Sequence, residues 1–179
     1  MRIVAIAHLI LILEVGTVSA ADVYRQLVRV DALPVAPDEA FQFRKIKQYL
    51  LSDMVLPKQK GSLTKASIRD PSVGFERSYR LFGAVTTLDQ HRRYGDYLDF
   101  FWRASRPATI TVRFEYRPEK LHGATQAREV TYPDAKGSHR TEFAVIGDDY
   151  FSDGRILAWR CILIEKERIV AETKSYLWR

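Results

Sequence analysis

The amino-acid sequence predicts a mainly β protein: an antiparallel β-sandwich of about seven strands, preceded by one amphipathic helix. The first observation behind this prediction is that apolar and polar residues alternate with period 2 in seven runs between residue 77 and residue 179, as in half-buried antiparallel strands. The second is that turn residues separate these runs with no helical pattern between them, which favours a sandwich over a parallel α/β sheet.

The first twenty of the 179 residues resemble a secretory signal peptide. Arg2 precedes an apolar run over residues 3–13, and small residues follow at 16–21, as signal peptidase requires. The apolar run is too short to cross about 30 Å of hydrocarbon. We therefore expect residues 1–20 to be removed during export. The mature protein should be periplasmic or extracellular, with no stable membrane span.

Residues 21–76 are predicted to form an N-terminal segment outside the sandwich. Two acidic residues follow Pro37 as at the start of a helix, and apolar residues then recur at helical spacing. This pattern predicts an amphipathic helix over residues 38–51. Residues 57–74 mix Pro, Lys, Gln, Gly, Ser and Thr with few apolar anchors, which is typical of a linker.

The predicted sandwich domain covers residues 77–179. The clearest run, residues 108–117, places apolar residues on one face, expected to pack in a core, and Thr, Arg and Glu on the other, expected to face water. The run before it, residues 96–105, ends at the turn signal Arg106-Pro107. The other predicted strands cover residues 77–86, 126–132, 139–146, 155–164 and 168–178, and the last two form a hairpin. The leading core aromatic residues are Phe100, Trp102, Phe114, Phe143 and Trp159.

Charge and cysteine content restrict the classes of function. The formal net charge is +6, and basic residues alternate with acidic ones, which is typical of a solvated surface and not of a nucleic-acid-binding stripe. Cys161 is the single cysteine, so no intramolecular disulfide can form. Its apolar neighbours predict a buried, unreactive thiol.

The last two runs resemble the final hairpin of an immunoglobulin-like or fibronectin-type sandwich. The chain also resembles small exported bacterial proteins through Gly-Ala-Val-Thr at residues 83–86, Phe-Phe-Trp-Arg at 100–103, Glu-Tyr-Arg at 115–117 and Gly-Asp-Asp-Tyr at 147–150. Trp159-x-Cys161 is similar to the Tyr-x-Cys of immunoglobulin strands, although the partner cysteine is absent. The resemblance implies a fold and an exported location but no activity.

Catalytic chemistry has no supporting motif in the sequence. A nucleophile needs a neighbouring base, but His91, His122 and His139 lie in or beside turn-like stretches, and Cys161 lies in the middle of a predicted strand. The sequence contains no His-x-x-x-His or Cys-x-x-Cys spacing of the kind that marks a transition-metal site. The sequence therefore predicts a protein that is not an enzyme and needs no cofactor.

Two groups of residues are candidate binding sites. The acidic stretch 147–154 carries three carboxylates between glycines, which could supply part of a calcium shell or form a solvated connection between strands. Aromatic residues facing away from the predicted core could form a platform for sugar rings, unless the helix covers them. The candidate calcium ligands are Asp148, Asp149 and Asp153, and the candidate sugar-binding residues are Tyr94, Tyr97, Phe101 and Tyr176.

These observations lead to two hypotheses about function. The first is a non-catalytic exported module that acts by binding or assembly in the cell envelope, with an envelope protein or a polysaccharide as partner. The alternative is a carbohydrate-binding β-sandwich module that uses the outward aromatic residues.

Overall fold

The computed structural model describes residues 25–27, 30, 32–52 and 71–179. The predicted signal peptide and most of the predicted linker lie outside these residues. The strands within them are β1 (Arg25–Leu27), β2 (Phe41–Leu51), β3 (Gly95–Pro118), β4 (Gln126–Ile146), β5 (Ile156–Glu165) and β6 (Arg168–Lys174). The helices are α1 (Pro71–Leu81), α2 (Thr87–His91) and α3 (Asp148–Asp153), with a 3₁₀ turn at Glu119–Leu121. These six strands form one antiparallel sheet, which confirms the mainly β class.

The sheet is built around β3, which is 24 residues long. β4 pairs with nearly all of one edge of β3, whereas β2 pairs with the first half of the other edge and β5 with the second half. The runs predicted at residues 96–105 and 108–117 are thus one strand. The Arg106-Pro107 signal marks an irregularity, since the register with β4 shifts between Ala104 and Ala108 and again before Ile110.

The irregularity folds the sheet over itself. Phe100 and Phe114 lie fourteen residues apart on β3, and a straight strand would separate them by about 46 Å. Their ring centroids are 5.7 Å apart. The two halves of the sheet therefore enclose the core between their apolar faces. All five aromatic residues predicted for the core lie in it, each at most 8% exposed. Cys161 is fully buried there, and burial raises the pKa of its thiol.

The helix predicted over residues 38–51 is wrong, because residues 41–51 form β2 and pair with β3. The apparent helix start is a turn: the Ala40 amide donates to Asp38 Oδ1 at 2.8 Å, and the Phe41 amide donates to the Asp38 carbonyl at 3.0 Å. The register shift between Phe43 and Lys45 inserts one extra residue into the alternation of apolar and polar positions. The apolar residues therefore recur at a spacing similar to that of a helix. β2 also joins the sheet of the predicted sandwich domain instead of standing outside it.

Two predicted strands end or fold differently in the structure. Residues 77–86 lie in α1 and the turn that follows it, because Pro71 opens a helix there. β6 ends at Lys174 instead of residue 178, since the Ser175 amide donates to the Trp159 carbonyl at 2.8 Å and the chain then turns. The predicted hairpin of β5 and β6 is confirmed, with Lys166 and Glu167 both at positive φ, as a two-residue hairpin loop requires.

Candidate functional site

The structure does not bring the three candidate calcium ligands together. They lie on the short helix α3, where the sequence indicated a loop, and Asp149 accepts a hydrogen bond from Arg128 at 2.5 Å. Arg128 also donates to the Ala144 carbonyl, so its guanidinium ties α3 to β4. Among the described residues, no group of three or more His, Cys, Asp or Glu side chains is placed to hold a metal ion.

The candidate sugar-binding residues do not form an exposed platform. Tyr94 and Tyr97 are buried and pack with Leu51 in a second apolar cluster. Phe101 is half-buried, whereas Tyr176 is 93% exposed. The register shift in β2 turns Leu51 toward the face of the sheet that holds Tyr97, so part of the segment over residues 38–51 packs against these aromatic residues, as strand β2 and not as a helix.

A different apolar surface is exposed on α1, on the turn after it and on α2. Its five large apolar side chains are between 59% and 86% exposed. Three of them follow the spacing i, i+4, i+7 and share one helix face, where the rings of the first two stack at 6.4 Å. We call this set the α1–α2 surface: Phe75, Tyr79, Phe82, Val85 and Leu88.

The opposite face of α1 contacts the sheet through a charged residue. Arg80 is 8% exposed and donates to Glu142 Oε1 at 2.6 Å and to Glu76 Oε1 at 2.9 Å. Its guanidinium carbon lies 4.1 Å from the ring centroid of Tyr97. The polarity of α1 is thus largely inverted: its most buried side chain is the charged Arg80, with Leu81 packed beside it, whereas its large aromatic side chains are exposed.

Ionic contacts around α1 and α2 leave positive charge at the surface. Residues 74–93 contain four arginines and two acidic residues. Both acids are engaged: Glu76 pairs with Arg80, and Asp89 caps α2 by accepting from the hydroxyl and the amide of Thr86. Those hydrogen bonds hold the pKa of Asp89 below its ordinary value. The exposed cations that remain beside the apolar surface are Arg77 and Arg92.

A polar cavity lies on the outer face of β3, β5 and β6. Glu115 was predicted to face water but is 1% exposed. Its carboxylate lies between Arg160, whose Nε donates to Oε2 at 2.6 Å, and Arg113. The turn at residues 175–178 places the buried Trp178 ring 4.5 Å from the Arg117 guanidinium and 5.4 Å from that of Arg160. The cavity beside the Trp178 ring has a volume of about 490 Å³.

Sequence reasoning missed the α1–α2 surface because it read residues 77–86 as a strand. The helical spacing of Phe75, Tyr79 and Phe82 after Pro71 was the signal that could have revealed it. No protein-family model, curated protein or solved structure matches this chain. Within the described ranges, no helix combines the length and the apolar content needed to cross a bilayer. Function is therefore inferred from the geometry of this chain.

Proposed function

We propose that the protein is a non-catalytic exported binding module of the cell envelope, which docks through the α1–α2 surface onto the anionic surface of a lipid bilayer. The observation that carries this proposal is the inverted polarity of α1, with Arg80 buried and the apolar residues exposed. A helix on a globular protein normally buries its apolar stripe. A group of exposed apolar side chains of this kind marks an interaction site.

The composition of the surface favours a bilayer as the partner. Phe, Tyr, Val and Leu side chains flanked by Arg77 and Arg92 match a peripheral contact, in which apolar groups enter the headgroup boundary and cations meet anionic lipids. Removing one such side chain from water contributes about 1.5–3 kcal/mol at full burial. Several partly inserted side chains are therefore sufficient for reversible binding, and not for permanent anchoring.

Two finer expectations belong to the same proposal. Export depends on the signal peptide predicted over residues 1–20, and it delivers the module to a periplasmic or extracellular membrane face. The two packed halves of the bent sheet serve as the layers of a β-sandwich, for which the immunoglobulin-like strand order is the arrangement we expect. The close packing of Phe100 on Phe114 across these layers supports this description.

Vesicle binding tests the proposal. We expect the protein to co-sediment with vesicles of phosphatidylglycerol and phosphatidylethanolamine, but not with phosphatidylcholine vesicles, and to dissociate as salt screens the cations. The double variant F75S/F82S should reduce binding about tenfold or more, since each replaced side chain loses more than 1 kcal/mol of apolar transfer energy.

The matched control is Y176S/L177S, which replaces two exposed apolar residues outside the α1–α2 surface and should bind like the natural protein. The proposal fails if the natural protein does not bind anionic vesicles or if F75S/F82S binds them as well as the natural protein does. A specific envelope protein retained through the α1–α2 surface in the absence of vesicle binding would also overturn it.

A further inference from the structure

Exposed cations lie beside α1 on the outer face of the layer formed by β2, the first half of β3 and the end of β4. On β3, Phe101 and Arg103 point away from the core, since they alternate with buried residues of the same strand. Strand pairing places Lys45 of β2 and Arg140 of β4 on either side of Phe101, and cross-strand partners share a face. Lys47 lies two residues further along β2, on the same face. We call the four exposed basic residues the cationic face: Lys45, Lys47, Arg103 and Arg140.

Most of the charge on the cationic face is uncompensated. Of its four members, only Arg140 forms an ion pair with a carboxylate of the described residues. Arg140 lies 2.9 Å from Asp99 and 2.9 Å from Glu142. Glu142 also accepts from Arg80 of α1 at 2.6 Å, so both acids already bind cations of the protein itself. The other three cations are therefore open to an anion from outside.

The four charges are close enough to act together. The Nζ atom of Lys47 and the guanidinium carbon of Arg140 each lie 5.9 Å from the centroid of the Phe101 ring, so these charges are at most about 12 Å apart. Lys45 lies across from the same ring on β2, and Arg103 lies two residues along β3. Salt screens charges over about 8 Å at physiological ionic strength. An anionic surface placed over this face is therefore attracted by several cations at once.

The cationic face and the α1–α2 surface face the same side of the molecule. α1 packs on the outer face of the sheet through Arg80, which contacts Glu142 and the ring of Tyr97. The exposed aromatic residues of α1 lie on the side of the helix that is turned away from the sheet. Lys47 lines one cavity together with Arg80 and Glu76 of α1, so the two surfaces adjoin. One flat partner can therefore contact both.

The heights of the two surfaces fit a bilayer as this partner. A helix with its side chains is about 10–12 Å thick, so the exposed side of α1 stands about that far above the sheet. An apolar helix face enters a bilayer to a depth of about 5–10 Å. The gap that remains between the headgroups and the sheet is short enough for extended Lys and Arg side chains to span.

We propose that the cationic face binds the phosphate groups of anionic lipids and orients the protein with this outer face against the bilayer. The inference rests on the proposed function, because insertion of the α1–α2 surface brings the cationic face to the headgroups. Each cation near an anionic membrane raises the affinity about fivefold. Two separate contacts also fix the orientation, which the apolar contact of α1 alone leaves free to rotate.

Removing charge from the cationic face tests this inference. K45Q/K47Q should weaken binding to vesicles of phosphatidylglycerol and phosphatidylethanolamine about tenfold or more, and the remaining binding should depend less on salt. The matched control K166Q/R168Q removes the same charge from the hairpin of β5 and β6 and should leave binding within about twofold. Both double variants change only exposed side chains, so they should fold like the natural protein.

A fluorescent label tests the orientation. Ser138 is exposed on β4 and is the cross-strand partner of Arg103, so it lies at the end of the cationic face away from α1. Cys161 is the single cysteine and is fully buried, so S138C supplies one accessible site for an environment-sensitive fluorophore. Its emission should shift to the blue on anionic vesicles. The same fluorophore attached at K166C should show no shift.

The outcomes distinguish this inference from the proposed function. If the natural protein does not bind anionic vesicles, both are overturned. If F75S/F82S weakens binding but K45Q/K47Q binds as well as the natural protein does, this inference alone is wrong. An unshifted label at S138C on bound protein also overturns it alone. If K45Q/K47Q loses binding to soluble polygalacturonate but keeps vesicle binding, the cationic face serves an acidic polysaccharide and the inference is wrong.

Discussion

At the residue scale, the sheet buries a carboxylate where β3 begins. Asp96 is 2% exposed, and its Oδ2 atom accepts from the Ile156 amide at 2.9 Å, which satisfies the first amide of β5. Burial raises the pKa of Asp96 above its ordinary value, although hydrogen bonds from Ile156 and Gln48 oppose the rise. The charged form of Asp96 is therefore less favourable in the folded protein than in the unfolded chain.

The pH dependence of stability should report this burial. With a raised folded-state pKa, the contribution of Asp96 to stability is fully present below the ordinary pKa of aspartate and is lost as the pH rises through the raised value. Asp96→Asn keeps a carbonyl acceptor for Ile156 and removes the charge. Denaturant unfolding should show the variant gaining free energy of unfolding, relative to the natural protein, as the pH rises from acidic to neutral. A relative stability that is constant or falls over this range contradicts the prediction.

The burial of individual residues shows which positions can be predicted from the sequence. Period-2 alternation correctly identified Phe100, Trp102 and Phe114 as core residues, because the inward positions of a strand are fixed by its own pattern. The same alternation predicted that Glu115 faces water. That prediction failed because side chains of neighbouring strands enclose Glu115, among them Arg160 of β5, which is 45 residues away in the chain. Contacts of this kind depend on strand pairing and cannot be predicted from local sequence.

At the element scale, the sequence predicted a helix where β2 lies and a strand where most of α1 lies, and each error has a physical reason. The apolar spacing in β2 resembles a helix because of the register shift after Phe43, and only pairing with β3 reveals it as a strand. α1 has no long buried apolar stripe, since its contacts with the sheet are the charged Arg80 and the adjacent Leu81 at its end. Assigning secondary structure from the apolar pattern assumes that apolar residues face the core. The assignment fails for α1 because its large apolar residues face outward.

The start of β3 depends on a glycine. Gly95 has φ +144°, and a Cβ atom there would lie 2.2 Å from the Val145 carbonyl oxygen. Gly95→Ala should lower the free energy of unfolding by about 2–3 kcal/mol or more, since strain and the clash with backbone add. In contrast, the Cβ atom that Gly74→Ala adds on α1 would lie in open space. This substitution should raise the free energy of unfolding by about 0.5–1 kcal/mol. Chemical denaturation of both variants measures the contrast, and an equal effect of the two substitutions would refute it.

At the scale of the whole molecule, one ring joins the two halves of the bent sheet. Phe100 contacts rings from β2, from the second half of β3, from β4 and from β5, at centroid distances between 5.3 and 6.2 Å. These partners are Phe43, Phe114, Phe143 and Trp159. Because the contacts span β2 and the strands of the predicted sandwich domain, we expect both regions to unfold as one cooperative unit.

Replacing Phe100 tests this cooperativity. Phe100→Ala removes a fully buried ring and should cost about 3–5 kcal/mol, with the milder Phe100→Leu as the substitute if the alanine variant does not fold. Phe101→Ala is the matched control, because the neighbouring ring is half-buried on the opposite face and should cost less. Tryptophan fluorescence and far-UV circular dichroism should give coincident unfolding transitions in every variant that folds. Two separate transitions would mean that β2 unfolds independently of the rest of the sheet, which contradicts the prediction.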